Sequence, residues 1–113
     1  MSLGLQKADA FLEDFTLQAL WYVREAGDDV ARRFQQAVDS TLSLLCKEPG
    51  LGHVRRFRHP KLQGLRSFPV ERPFQRFVVF YRADEARMQV VRLMDGARDL
   101  PRRLAEPPGS EIN

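Results

Sequence analysis

The stretch RFVVFYRADEARMQVVRLM, residues 76–94, decides the fold. Its first part, 76–82, is apolar on both alternating faces, the pattern of a strand in the middle of a sheet covered on both sides. ADEA at 83–86 reads as a tight turn, and RMQVVRLM at 87–94 returns as the hairpin partner. Upstream, GLRSFPV at 64–70 is a third strand, with Pro69 marking a bulge or an edge position. The short LGLQK near the start, 3–7, adds a fourth strand at an edge. The expected sheet is therefore antiparallel with three to four strands.

Residues 10–26 have helical spacing instead. Phe11, Phe15, Ala19, Tyr22 and Ala26 recur every three or four positions, with Leu12 and Val23 beside them. Asp9 is placed to cap this helix and Gly27 to end it. A second helix, capped by Asp28 or Asp29, runs to about Lys47 with Val30, Phe34, Val38, Leu42 and Leu45 as its buried row. So short a turn folds the two helices back on each other as an antiparallel hairpin. Pro49, Gly50 and Gly52 in KEPGLG stop the second helix. The predicted architecture is α+β: an N-terminal two-helix hairpin packed on the sheet, followed by a short C-terminal helix in ARDLPRRLAE and a mobile tail over 107–113.

At 113 residues the chain suits one domain, and 43% hydrophobic with 29% charged residues is the balance of a folded globular protein. No apolar run reaches the roughly 20 residues that cross a bilayer. The start MSLGLQKADAF lacks the features of a signal peptide, so the expected location is the cytoplasm. The lone cysteine, Cys46, falls among Leu42, Leu44 and Leu45, where core packing is the simpler reading than a reactive thiol.

Charge is uneven. The net charge of +3 is the sum of an acidic first half and a basic second half. Between Glu48 and Glu71 there is no acid, but there are Arg55, Arg56, Arg58, Lys61 and Arg66 and both histidines, His53 and His59. Such a stretch projects positive potential toward polyanions, although a solvated loop has the same composition. On the first helix, Leu17, Leu20 and Trp21 form a second apolar stripe, open either to a partner or to cover by the C-terminal segment.

Nucleotide, zinc and serine-hydrolase chemistry find no support, since there is no Gly-rich phosphate loop, no paired Cys or His ligand spacing and no nucleophile elbow. No metal or cofactor is expected. Arginines remain: Arg66, Arg76, Arg82, Arg92 and Arg98, with Tyr81, hold groups that bind phosphate oxygens in a two-pronged way. RNA cleavage would also need a proton acceptor and a donor. His53 and His59 titrate in the useful range but sit in a Pro/Gly-rich loop.

The order of helical hairpin, EPGLG, LQGLRSFPV, FQRFVVFYR and VVRLMDGARDL resembles the RelE/ParE superfamily of bacterial toxins, and within it the ParE (plasmid stabilisation) branch. Leu65 and Arg66, Phe80 and Tyr81, and the closing Gly96-Ala97-Arg98-Asp99 carry the likeness most specifically. The resemblance implies one toxin domain over 1–106, part of a type II toxin–antitoxin system. It further implies neutralisation by a cognate antitoxin, whose disordered tail folds onto the toxin, and assembly as a homodimer or as a heterotetramer with it. In the ribosome-dependent RNases of the superfamily a histidine or tyrosine near the C-terminal Gly-x-Arg takes part in cleavage. Here Asp95 precedes that Gly, and an aspartate ionised at pH 7 cannot donate a proton to a leaving oxygen. An ion pair with Arg92 or Arg98, or a cap on the next helix, suits it better.

The leading expectation is thus a ParE-like toxin that inhibits DNA gyrase by binding, without chemistry of its own. Its target contacts would be Arg55, Arg56, Arg58, Lys61, Arg66 and Arg98, and its antitoxin contacts Leu17, Leu20 and Trp21. The alternative is a RelE-like endoribonuclease that cuts mRNA on the ribosome, using Arg66, Tyr81, Arg82 and Arg98.

Overall fold

The computed structural model describes residues 2–96 and Leu104. The elements run β1 (Gly4–Lys7), α1 (Asp9–Ala26), α2 (Asp28–Lys47), a 3-10 turn (Pro49–Leu51), β2 (His53–Val54), a second 3-10 turn (Pro60–Leu62), β3 (Arg66–Pro69), β4 (Phe77–Ala83) and β5 (Arg87–Asp95). The expected C-terminal helix, the tail and Arg98 lie, apart from Leu104, outside the described residues.

The helical hairpin reverses on a single residue. Gly27 has φ of 94°, a left-handed value that side chains rarely tolerate, and it ends α1 while preceding α2. Asp9, Asp28 and Asp29 do not cap the helices as expected. Ala8 and Gly27 hold the cap positions without a side-chain cap bond, and the three aspartates lie in the first turns. There their charge complements the positive end of the helix dipole.

The two helices are buried very differently. α2 buries Phe34, Ala37, Val38, Thr41, Leu42, Leu45 and Cys46, so the thiol stands in the core and burial pushes its pKa up. Only Phe11 of α1 is fully buried. Phe15 stacks on Phe34 at 5.6 Å, and Tyr22 meets Phe34, Phe74 and Phe77 edge-on or tilted. Leu12 and Val23, expected beside the buried row, are exposed because α1 forms the outer layer and only a narrow stripe of it reaches the sheet.

Among the described residues the sheet has five strands in the order β1-β5-β4-β3-β2. It is mixed, not wholly antiparallel: β1 runs parallel to β5, while the other pairs are antiparallel. No local turn joins β1 to β5, so nothing in either short sequence fixes their relative direction. Chain geometry does: Ala8 donates its amide to the Val90 carbonyl at 2.9 Å, and α1 begins at once. The two-residue β2 is too short to show any alternation in sequence. It exists because it pairs with Arg66 and Ser67, with Arg55 N–H bonding the Leu65 carbonyl at 2.8 Å. Beyond Ser67 the outer side of β3 has no strand neighbour among the described residues, and Pro69, lacking an N–H, stands in that open stretch.

The central hairpin is as expected, closed by Asp84, whose carboxylate accepts the amides of Ala86 and Arg87 at 2.8 and 2.9 Å. It contains a bulge. Phe80 faces Arg92 but Tyr81 faces Val90, leaving Val91 without an opposite residue. The extra residue switches the parity of β5. Met88, Val90 and Leu93 consequently join Phe77, Val79 and Tyr81 in the core beneath the helices. Phe80 and Met94 pack on the other face with Leu62, Leu65 and Leu104, flanked by Phe57, Val78 and Val91. The sheet is covered on both sides, as the apolar pattern of β4 requires.

Candidate functional site

The connector from α2 to β3 is built around one phenol. Pro49 ends α2, and the chain crosses over Tyr81, which is fully buried. The Tyr81 hydroxyl donates to the Pro49 carbonyl at 2.6 Å and accepts the Gly52 amide at 2.8 Å. Burial pushes this phenol above its ordinary pKa, against a smaller lowering by the Gly52 amide and by Arg66. A phenol so held is a pillar of the connector.

Two arginines of the sheet bind the same segment. Arg66 Nη1 donates to the Gly52 carbonyl at 2.8 Å and to Gly50 at 3.4 Å. Arg82 donates from Nε to the Gln63 carbonyl at 3.0 Å and from Nη2 to Lys61 at 2.6 Å. Leu62 and Leu65 are buried beneath it. Arg55 reaches Ser67 Oγ at 3.2 Å and lies over the rings of Phe57 and Phe80. In the connector so fixed, Arg56, Arg58 and Lys61 are exposed.

His53 is exposed on β2. His59 Nδ1 accepts the Lys61 amide at 3.1 Å and so starts the second 3-10 turn. A recess of about 390 Å³ opens beside β2, bordered by Leu51, His53, Arg55, Ser67, Phe68 and Val78. Among the described residues no group of three or more His, Cys, Asp or Glu is placed to share a metal ion. None of the described helices is long and apolar enough to cross a membrane.

Asp95 pairs with Arg76, not with Arg92. Residue 95 lies opposite Phe77 in the β4–β5 ladder, which sets its carboxylate beside the preceding Arg76, and Gly96 N–H bonds the Arg76 carbonyl at 2.7 Å. The carboxylate in turn raises the pKa of Arg76. The pair is largely exposed on its arginine side.

The model of the ParE toxin of the type II toxin–antitoxin system parDE matches residues 5–100 of the chain. The chain belongs to the ParE toxin family. No curated protein matches it. Among solved structures, it is similar to the chromosomal ParDE toxin–antitoxin system from P. aeruginosa, at a TM-score of 0.66 and 20% identity over 83% of this chain and 96% of that one. At that identity the likeness concerns the fold.

In this ParE toxin the sequence expectations fall into two surfaces. Arg55, Arg56, Arg58 and Lys61 lie along the connector, which Arg66 on β3 and Arg82 on β4 bind through its backbone carbonyls. On the opposite, helical layer, Leu17, Leu20 and Trp21 are 45%, 54% and 45% exposed. Trp21 rests its ring edge-on against Tyr22 at 5.4 Å, which ties the exposed indole to the core aromatics.

A third arrangement escaped the sequence reading. Arg92 is buried and donates from Nε and Nη2 to the two carboxylate oxygens of Asp14 at 2.7 and 3.1 Å. Asp14 also accepts the Leu93 amide at 3.0 Å, sealing the edge of β5 where β1 has ended. Arg92 Nη1 reaches the Leu104 carbonyl at 3.3 Å. The signal was present in sequence as two charges at apolar positions: Asp14 beside the Phe11–Phe15 stripe, and Arg92 between Val91 and Leu93.

Proposed function

We propose that this ParE-family toxin acts in the cytoplasm by binding DNA gyrase and inhibiting it, and that a cognate antitoxin neutralises it. The observation that carries this reading is how Arg66, Tyr81 and Arg82 are engaged. Their polar atoms bond the carbonyls and amide of the connector, so they shape a surface rather than presenting a proton donor and a phosphate clamp to a scissile bond. What the connector presents outward is positive charge without a carboxylate partner among the described residues. Such a surface favours association with a polyanionic complex and requires no chemistry from the toxin. The domain boundary at about residue 106 and the part of Arg98 in target binding belong to the same proposal.

The antitoxin is assigned to α1. An exposed helix carrying Leu17, Leu20 and Trp21 at three- and four-residue spacing offers the anchors that an amphipathic or folding segment uses. The solved system similar to this chain pairs a toxin with an antitoxin, in keeping with that assignment.

Purified toxin titrated into a gyrase supercoiling reaction tests the reading. The expected result is loss of supercoiling with no ribosome present, retained by Tyr81→Phe protein that is still folded. The opposite result is an unaffected gyrase together with codon-periodic cuts in ribosome-bound mRNA that Tyr81→Phe abolishes. It would establish the RelE-like endoribonuclease instead.

A further inference from the structure

We propose that the exposed face of the connector, with Arg56, Arg58 and Lys61 as its principal contacts, binds the phosphate backbone of duplex DNA directly. This deepens the gyrase reading, on which its biological setting rests, by naming DNA rather than the protein subunits as what the connector touches.

Three observations point the same way. First, the segment between Glu48 and Glu71 contains five Lys or Arg residues and no acid, so its field is not cancelled locally. Second, the cations divide by task. Arg66 and Arg82 bond backbone carbonyls, and Arg55 lies 5.3 Å from the Phe57 ring centre and 5.9 Å from that of Phe80. Arg56, Arg58 and Lys61 are exposed and pair with no carboxylate among the described residues. Third, their platform is fixed in advance by the Gln63 side-chain amide on the Phe57 carbonyl, by Arg82 on the Lys61 carbonyl and by the buried Leu62 and Leu65. Charges held on a pre-formed surface bind phosphates with less ordering entropy to overcome than charges on a free tail.

The choice of DNA over an acidic protein face follows from the residue types. The three principal contacts are long, fully charged side chains, suited to phosphate oxygens at repeating spacing. A protein interface would be expected to centre on buried aromatic or aliphatic anchors. In this chain the exposed tryptophan, Trp21, with Leu17 and Leu20 beside it, lies on α1, while the connector's exposed large apolar side chains are the aliphatic Leu51 and Val54, ahead of the three cations in the chain.

The test is fluorescence anisotropy with a labelled duplex of mixed sequence and no gyrase, across a potassium chloride series. The probe should bind with a log–log salt slope near −3, about 0.9 for each phosphate neutralised. The variant Arg56→Ser/Arg58→Ser/Lys61→Ser should bind at least about tenfold more weakly at low salt and lose roughly three from the slope. A charge-matched control, Lys7→Ser/Arg24→Ser/Arg33→Ser, removes cations from β1 and the helices and should leave binding near the parent value. Thermal melting verifies that both variants fold. Absence of salt-dependent binding, equal losses in the two variants, or binding confined to an A-form RNA duplex would each overturn the assignment. Gyrase inhibition measured alongside separates the two readings. Inhibition that survives without any duplex binding refutes the DNA contact alone, whereas duplex binding without inhibition refutes the gyrase reading alone.

Discussion

Tyr81 fills the space that a side chain at Gly52 would need: a β-carbon there would stand 2.1 Å from the phenol oxygen and 2.6 Å from the nearest ring carbon. Gly52 has φ of −67° and ψ of 148°, an ordinary extended conformation, so close approach and not backbone freedom demands the glycine. The pair joins the break after α2 to the middle of the sheet and thereby positions the basic connector.

Gly52→Ala should therefore destabilise the toxin by about 1–3 kcal/mol, because the methyl group forces the connector off the phenol and breaks its two hydrogen bonds. Urea unfolding at neutral pH measures this. An alanine variant as stable as the parent would mean that the connector does not rest on Tyr81.

Stability should fall at alkaline pH. Burial raises the phenols of Tyr81 and Tyr22 and the thiol of Cys46 above their ordinary values, so the unfolded chain loses these protons first as pH climbs. Their contribution is whole below about pH 8 and is lost as pH rises through the ordinary thiol and phenol range, about 8.5 to 10, toward the folded values. Tyr81→Phe should make the decline between about pH 9 and 11 shallower. Denaturation midpoints measured across that range would reveal an unchanged slope if the phenol ionised equally easily in both states.

The Asp14–Arg92 pair has side chains only 8% and 6% exposed. Asp14→Ala leaves a buried guanidinium and the Leu93 amide without their carboxylate, and the expected loss is about 3–5 kcal/mol. Asp14→Leu combined with Arg92→Met should recover much of it, since both buried charges are then replaced by apolar side chains. Thermal melts of the parent and the two variants check this, and a single variant no weaker than the double one would contradict it.

Asp95 is a different matter, because its arginine partner is two-thirds exposed. Asp95→Asn should lower stability by less than about 1 kcal/mol and leave gyrase inhibition intact. Loss of inhibition in a folded Asp95→Asn protein would give this carboxylate a role at the target that its pairing with Arg76 does not suggest.

Trp21→Ala should leave the melting temperature close to that of the parent, because the indole packs at the rim of the core, and weaken antitoxin binding by about 2 kcal/mol or more, some thirtyfold. Titration calorimetry with the cognate antitoxin would show an unaltered dissociation constant if α1 is not its seat.

What the sequence by itself determined were the features governed by local period and local chemistry. The helical rows of α1 and α2, the glycine reversal at residue 27, the proline stop at residue 49 and the β4–β5 hairpin are all legible there, because neighbours in the chain are neighbours in those structures. The apolar stripe of Leu17, Leu20 and Trp21 was legible for the same reason, but its exposure was not. Only the tertiary structure decided the parallel placement of β1, the two-residue β2, the parity switch at Val91 and the partners of Asp14, Asp95 and Tyr81. Apart from the bulge within the β4–β5 hairpin, these join residues that are not neighbours in the chain. Their pairing follows from burial and from the need of buried polar groups for a partner, conditions that no local pattern encodes. The same division separates the two halves of the site: sequence shows that the connector is basic, but only the folded sheet determines which of its cations are tied to the backbone and which are left facing outward.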